Sequence, residues 1–283
     1  MIANCPEYRV KTTEELVMTI SFVGGGIMAE SFIAGVLKKG LFVSDEIYVS
    51  DPIPERREYL ETTYKVNCVE DNLDILKLEG KILLAVKPQT LPEIYAELNG
   101  KISSGRSVIS IVAGCNSDDL SSGLEHEEII RVMPNTPSQI GKGMLVWTAK
   151  DKVGESEKRE ISSILQTLGE EYYVHDEKYI DMATALSASG PAYVFLFIQS
   201  LIDAGVYLGM PREMARHLVL QTVSGSTDLV LESGSHPSVL SDMVTSPGGT
   251  TIEALVSMEN DGLRAALING VRAAFDRSVE LGN

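Results

Sequence analysis

Short apolar segments alternate with helical patterns over the first 176 residues. Residues 19–23 alternate apolar and polar positions, as a half-buried strand does, whereas residues 82–86 form a continuous apolar run. Such a run is typical of a strand buried on both faces of a parallel sheet. Further strand patterns lie at residues 46–50, 66–69, 107–114, 129–133, 144–148 and 171–174. Helical patterns separate several of these strands, so the alternation predicts an α/β doubly wound parallel sheet.

The pattern changes after residue 176, where strand-like segments stop and helical ones begin. Residues 192–202 are apolar nearly all round, and a helix without a polar face must be buried on every side. A domain of only ~100 residues cannot easily bury such a helix alone. The pattern therefore predicts an all-helical second domain, residues 177–283, that forms a homodimer. Residues 18–176 form the sheet domain, and residues 1–17 are interpreted as an N-terminal extension.

A glycine turn joins the first predicted strand to the first helix. Residues 24–29 read Gly-Gly-Gly-Ile-Met-Ala, which is the form G-x-G-x-x-A. In a Rossmann-type fold, Gly24 makes the tight turn, Gly26 lets the backbone approach a pyrophosphate, and Ala29 permits close packing of helix on strand. This position between strand and helix predicts a dinucleotide site.

Asp51 ends the second predicted strand, where an acid accepts hydrogen bonds from the adenosine ribose hydroxyls. An acid there also repels a 2′-phosphate, which favours NADH over NADPH. Arg56 and Arg57 follow on the next predicted helix. They either contact a phosphate or belong to a solvated helix start after Pro54, and the sequence leaves both interpretations open.

A second glycine-containing loop lies late in the chain, at residues 242–252. Pro247 is followed by Gly248, Gly249, Thr250 and Thr251. We expect Thr250 or Thr251 to cap a helix that starts at Ile252. A helix start of this kind gathers N–H groups that attract a small anion, although an ordinary capped loop has the same pattern.

Composition narrows the classes of function. The net charge of −16 argues against a nucleic-acid or anionic-membrane surface, since both need basic patches. Cys5, Cys68 and Cys115 form no Cys-x-x-Cys pair, and the four histidines are scattered, so neither a disulfide framework nor a metal site is predicted. Reduced thiols fit a cytoplasmic protein. The apolar run at residues 192–198 is too short to span a membrane.

Several short motifs, in one order along the chain, resemble the pyrroline-5-carboxylate reductase family over residues 18–281. They lie at residues 24–29, 85–89 (Ala-Val-Lys-Pro-Gln), 131–137 (Arg-Val-Met-Pro-Asn-Thr-Pro), 187–193 (Ser-Ala-Ser-Gly-Pro-Ala-Tyr), 209–212, 221–222 and 242–252. The resemblance implies reduction of 1-pyrroline-5-carboxylate to L-proline, the last step of proline biosynthesis, with NADPH or NADH. It also implies an all-α dimerisation domain after the nucleotide-binding domain, and dimers that assemble into larger rings.

The resemblance also implies a set of site residues. The implied cofactor contacts are Val23, Gly24, Gly25, Gly26, Ile27, Met28, Asp51, Asn72, Ala85, Val86, Lys87, Pro88, Val112, Ala113 and Gly114. The implied substrate contacts are Thr184, Ser187, Gly248, Gly249, Thr250 and Thr251. Among them we expect Thr184 to place a hydroxyl near the ring nitrogen of the substrate. For Lys87 we favour a structural or cofactor-edge role over a catalytic one.

Two residues of this chain depart from the family's pattern, and two other classes of protein share part of that pattern. Ala188 replaces a glycine common in the family, and Asp51 replaces a small polar residue that often meets the 2′-phosphate, which puts the preference for NADPH in doubt. A β-hydroxyacid dehydrogenase also pairs a dinucleotide domain with helices, but it usually needs a lysine in the helical half, and residues 192–283 contain none. A dinucleotide-sensing module needs the glycine turn but not the segments around Ser187 and Ser246.

Overall fold

A computed structural model describes residues 18–282, so the predicted extension at residues 1–17 lies outside the described residues. The strands are β1 (Thr19–Val23), β2 (Ile47–Ser50), β3 (Asn67–Val69), β4 (Gly80–Leu84), β5 (Val108–Ser110), β6 (Ile129–Met133), β7 (Gly143–Ala149) and β8 (Gly169–Tyr173). The helices that accompany them are α1 (Ile27–Lys38), α2 (Pro54–Tyr64), α3 (Asn72–Ile75), α4 (Leu91–Leu98), α5 (Ser117–Leu124) and α6 (Glu155–Leu165).

The strands form one sheet in the order β3-β2-β1-β4-β5-β6-β7-β8. This confirms the predicted doubly wound, Rossmann-type sheet. The direction of strand order reverses between β1 and β4, which pair in parallel from Thr19 opposite Gly80 to Val23 opposite Leu84. Ligands bind at such a reversal, outside the carboxyl ends of the strands. The structure adds one feature to the prediction, since β7 pairs antiparallel to β6.

Alternate residues of the central strands pack against different helical layers. Ile20, Phe22 and Leu83 are fully buried in one cluster, which includes Phe32 and Ile33 of α1. Ile82 and Leu84 are fully buried in the other, which includes residues of α4 and α5. Each face of the sheet is thus covered, as the continuous apolar run at residues 82–86 predicts.

A second compact unit spans Asp181–Leu281, after a first unit that ends at Ile180. The helices from the junction onward are α7 (Lys178–Ala183), α8 (Gly190–Tyr207), α9 (Arg212–Ser233), α10 (Pro237–Met243), α11 (Thr250–Asn260) and α12 (Leu263–Leu281). A π-helical turn, Thr184–Ala188, joins α7 to α8. The segment around Thr184 therefore lies inside a continuous helical stretch.

Helix α8 leaves most of its apolar side chains exposed in the single chain. Phe195 is 58% exposed and Leu196 69% exposed, whereas Ile202 is buried. An apolar groove of about 590 Å³ lies between α8 and α12, with Leu196, Phe197, Leu267 and Val271 in its lining. An exposed apolar surface of this kind marks a site of association.

Length and composition alone would allow one helical stretch among residues 18–282 to cross a membrane. It runs over Lys178–Tyr207, with a mean hydropathy of 1.5 in its most apolar window. The stretch is longer than the apolar run at residues 192–198 because α7, the π-helical turn and α8 are continuous. The same apolar surface also fits burial against a partner chain.

Candidate nucleotide and substrate sites

The glycine turn after β1 is held against the ends of the neighbouring strands. The Gly24 N–H donates to the Ser50 carbonyl at 2.9 Å, and the Ala85 N–H donates to the Val23 carbonyl at 2.8 Å. Gly24 has φ +92°, and a Cβ added there would lie 3.0 Å from the Ala85 carbonyl oxygen. Only glycine satisfies both conditions, so this turn needs glycine for its conformation and for close approach.

Gly26 has a different role in the same turn. It is the N-cap of α1, with φ −64° and no side-chain cap. A Cβ added to Gly26 would meet no atom within 4 Å, so its outer side is open. A helix N-terminus with this access leaves room for a pyrophosphate, and that contact stays a prediction.

Asp51 is buried beside the turn and its carboxylate is engaged by the main chain. Oδ2 accepts the Gly25 N–H at 2.8 Å, and Oδ1 accepts the Ile53 N–H at 2.9 Å. The carboxylate therefore helps to fix the glycine turn. Each carboxylate oxygen can accept a second hydrogen bond, so a contact to ribose hydroxyls stays a prediction.

The other residues implied for the cofactor lie along the carboxyl ends of the parallel strands. Asn72, at the start of α3, accepts the Ser50 hydroxyl at 2.6 Å, which joins it to the end of β2. Val23 and Val112 are each 1% exposed as whole residues, so a contact of either with the cofactor stays a prediction. Lys87 is exposed and directly precedes a short 3₁₀ turn, Pro88–Thr90.

Arg56 and Arg57 are partly buried at the start of α2. Arg56 donates from Nε to the Gly25 carbonyl and from Nη2 to the Gly26 carbonyl at 3.3 Å. Arg57 donates from Nη1 to the Asp51 carbonyl at 2.7 Å. Both guanidinium groups therefore lie at the glycine turn and the end of β2.

The sequence analysis missed Glu30, which organises this region from the first turn of α1. Its carboxylate accepts the Tyr59 hydroxyl at 2.9 Å, the Tyr64 hydroxyl at 2.8 Å and Arg56 Nη2 at 2.6 Å. Burial by itself would raise the pKa of Glu30, but the hydrogen bonds from Arg56, Tyr64 and Tyr59 outweigh it and leave that pKa lowered. Burial and the hydrogen bond to Glu30 raise the pKa of Tyr64 to about 12. No local pattern marks Glu30, because its partners are 26 to 34 residues away.

In the second unit, Thr184 and Ser187 lie in the π-helical turn. The Ser189 N–H donates to the Thr184 carbonyl at 2.9 Å, a five-residue step that defines the turn. The Ser187 hydroxyl donates to the Ala183 carbonyl at 2.9 Å, and the Tyr193 hydroxyl to the Ala185 carbonyl at 3.1 Å. Single π-helical turns inside α-helices are frequent at functional sites.

The late loop differs in detail from its prediction. Helix α11 begins at Thr250, its N-cap is Gly249, and no side chain caps it, so neither threonine caps a helix at Ile252. The Gly249 N–H donates to the Ser246 carbonyl at 3.0 Å. The Gly249 N–H is therefore already engaged within the loop, and an anion contact there stays a prediction. Gly248, with φ +67°, makes the turn that precedes α11.

Comparison with known proteins gives one consistent result for both units. A family model described as pyrroline-5-carboxylate reductase dimerisation matches residues 177–281. A model described as NADP oxidoreductase, coenzyme F420-dependent, matches residues 19–114. The pyrroline-5-carboxylate reductase of Synechocystis is 41% identical, over 93% of this chain and 98% of its own length. The chain belongs to the pyrroline-5-carboxylate reductase family.

Two further family members have the same extent. The enzyme of Escherichia coli is 36% identical, over 93% of this chain and 97% of its own length. The crystal structure of Plasmodium falciparum pyrroline carboxylate reductase with NADP bound has a TM-score of 0.86 and 31% identity, over 94% of this chain and 98% of that one. Because the two folds agree along nearly their whole length, the family's nucleotide-binding and dimerisation domains are both present here.

Proposed function

We propose that this protein reduces 1-pyrroline-5-carboxylate to L-proline with NADH or NADPH. The observation that carries the proposal is the glycine turn at the reversal of strand order, in a chain that matches pyrroline-5-carboxylate reductases over 93% of its length. Of the other family motifs, those at residues 85–89 and 131–137 follow β4 and β6 in the first unit, and those at residues 187–193 and 242–252 include part of the π-helical turn and the late loop in the second.

The nucleotide side of the reaction uses main-chain groups. Gly24 to Met28 surround the start of α1, whose N–H groups attract the pyrophosphate. When bound, the nicotinamide supplies the hydride that the imine carbon accepts. The chain's part is to hold the two reacting atoms close and in line. Residues 85–88 and 112–114 follow β4 and β5, at the carboxyl ends of the neighbouring parallel strands.

The substrate side combines an anion site with a hydroxyl. The N–H groups at the start of α11 and the Thr251 hydroxyl would bind the substrate carboxylate, and Gly248 and Gly249 shape that loop. Thr184, with Ser187 one helical turn away, would orient the ring nitrogen. A protonated imine needs no strong acid, so a hydroxyl is sufficient there. This assignment separates the protein from β-hydroxyacid dehydrogenases, which usually depend on a lysine in the helical half.

For the cofactor we propose a preference for NADH. The support is Asp51, a buried acid at the end of β2 where a ribose diol binds and a 2′-phosphate is repelled. Steady-state rates with NADH and NADPH, measured side by side, test this preference. A higher kcat/KM with NADPH would contradict it.

For the assembly we propose a homodimer formed through Asp181–Leu281, with dimers associating further into a ring, in the cytoplasm. The exposed apolar side chains of α8 and the dimerisation-domain match support the dimer. The resemblance to the family supports the ring. Sedimentation equilibrium measures both steps.

The deciding experiment is oxidation of NADH or NADPH that depends on added pyrroline-5-carboxylate, with proline identified as the product. Turnover with a β-hydroxyacid instead would support the rival dehydrogenase. Cofactor binding without turnover of either substrate would support a dinucleotide sensor.

A further inference from the structure

The start of α2 places two arginines beside the predicted adenosine ribose site, and each is paired with an acid. Arg56 Nη2 lies 2.6 Å from Glu30 Oε2, and Arg57 Nη2 lies 3.1 Å from Glu70 Oε2. Arginine is the side chain best suited to bind a phosphate, because its planar fork matches two oxygens. The acids that engage these arginines therefore bear on whether a 2′-phosphate is accepted.

The two pairs are built differently. Glu30 is fixed by three donors, and its side chain is 20% exposed. Glu70 is 76% exposed, and its ion pair with Arg57 is screened by water. The guanidinium of Arg56 also lies over the Tyr59 ring, 5.0 Å from its centroid. Arg56 is therefore held in place from several sides. Among its hydrogen-bonded partners in residues 18–282, Glu30 is the one that carries a negative charge.

We propose that Glu30 is a specificity-determining residue that withholds Arg56 from a 2′-phosphate. The proposal rests on the proposed function, because it concerns the cofactor of that reaction. Glu30, Asp51 and Glu70 carry three negative charges, while Arg56 and Arg57 carry two positive ones. A ribose diol is uncharged, so it leaves this balance of charges unaltered. A 2′-phosphate adds negative charge and can take Arg56 only by displacing it from Glu30.

The residues involved indicate a direct test by substitution. Glu30→Gln keeps the length of the side chain and an oxygen that accepts from the two tyrosines, but it removes the charge that neutralises Arg56. We expect the variant to bind ADP-ribose 2′-phosphate about tenfold more tightly, the order expected for one charge-assisted hydrogen bond. Binding of ADP-ribose should change little. Isothermal titration calorimetry measures both ligands without requiring turnover.

Two further variants make the result specific. Glu70→Gln is the matched control, since it removes an exposed acid from the neighbouring arginine, and we expect a change of less than about twofold. In the double variant Glu30→Gln/Arg56→Met, the gain for the 2′-phosphate should disappear, because the released guanidinium is absent. Thermal unfolding of each variant checks that the fold is retained.

Three outcomes would overturn the proposal. One is an unchanged ratio of the two affinities in Glu30→Gln, and another is a gain that persists in the double variant. A third is tighter binding of the 2′-phosphate ligand to the unsubstituted protein, lost in Arg56→Met, since Arg56 would then already bind that phosphate. Failure of the proposed reaction is a separate result, because a protein that binds both ligands but does not reduce pyrroline-5-carboxylate still tests Glu30.

Discussion

The two units of this protein differ in how they treat their apolar residues. In the sheet unit, Ile20, Phe22 and Leu83 are fully buried between strands and helices of the same chain. In the helical unit, Phe195 and Leu196 of α8 are more than half exposed, although that helix is the most apolar segment after residue 176. The sheet unit has a complete core within one chain, and the helical unit does not.

Hydrophobic patterning therefore indicates which residues need burial, but it does not indicate whether the same chain or a partner chain buries them. A parallel sheet covered by helices buries the apolar side chains of its own strands, because each face meets a helical layer. A helix that is apolar all round needs neighbours on every side, and the helical unit has too few residues to surround it. The helical unit matches the family's dimerisation domain, and the homodimer proposed above would supply the missing neighbours.

The largest effect is expected from a charge placed on α8, because it would oppose the burial of that helix against a partner chain. We expect Leu196→Glu to weaken dimer formation at least about a hundredfold, because an unpaired carboxylate would be buried at the interface. Analytical ultracentrifugation measures the change. The matched control is Ile140→Glu, since Ile140 is 75% exposed in the sheet unit and should tolerate the charge. Equal effects of the two substitutions would contradict the assignment of α8 to the interface.

Gly249→Val should separate the substrate function of the helical unit from the cofactor function of the sheet unit. A Cβ at Gly249 would overlap the Ser246 hydroxyl and lie 3.2 Å from the Ser246 carbonyl oxygen, so the Ser246 side chain must move. We expect KM for pyrroline-5-carboxylate to rise about tenfold or more, the equivalent of one lost charge-assisted hydrogen bond. The Kd for NADH, measured by calorimetry, should stay nearly unchanged. Unaltered kinetics would exclude this loop as the carboxylate site.

Two alanine substitutions in the glycine turn should distinguish conformation from ligand access within the sheet unit. Gly24→Ala combines a positive φ with a close approach to Ala85, so we expect the free energy of unfolding to fall by about 1–3 kcal/mol. Gly26→Ala meets no neighbour, so the free energy of unfolding should change by less than about 0.5 kcal/mol. Both should weaken NADH binding. Urea unfolding and calorimetry on the same samples provide the test, and a stable Gly24→Ala would argue against the need for glycine there.

The smallest effect concerns the pH dependence of the sheet unit. The pKa of Glu30 is lowered in the folded state, so its contribution to stability is present above its unfolded pKa and is lost as pH falls through the folded pKa. At pH 7 we expect Glu30→Gln to be less stable than the unsubstituted protein by up to about 1 kcal/mol, since the ion pair is partly exposed. The gap should narrow below about pH 4. A gap that is constant with pH in urea unfolding would contradict this role.

Local patterns predicted much of the structure around the glycine turn and the carboxyl ends of β1 and β2. The strand before Gly24, the helix after Gly26 and the acid that ends β2 depend on residues close together in the sequence. The late loop was predicted less well, because Thr250 and Thr251 suggested caps where the structure starts α11 with Gly249 as its N-cap. A hydroxyl cap and a first-turn threonine look alike in sequence, since the choice depends on the φ and ψ of a single residue.

Other features depended on contacts that no local pattern contains. The antiparallel pairing of β7 with β6 and the π-helical turn at Thr184–Ala188 are two such features. The pairing of Arg56 with Glu30 joins residues 26 apart on two helices.

The sequence by itself determined the parallel strands of the sheet, the glycine turn and the apolar character of α8, because hydrophobic period and the conformational freedom of glycine are local properties. The tertiary structure alone decided which groups surround Asp51 and Glu30, and that Gly249 uses its N–H within its own loop. Hydrogen bonds and ion pairs between distant segments exist only after the chain has folded.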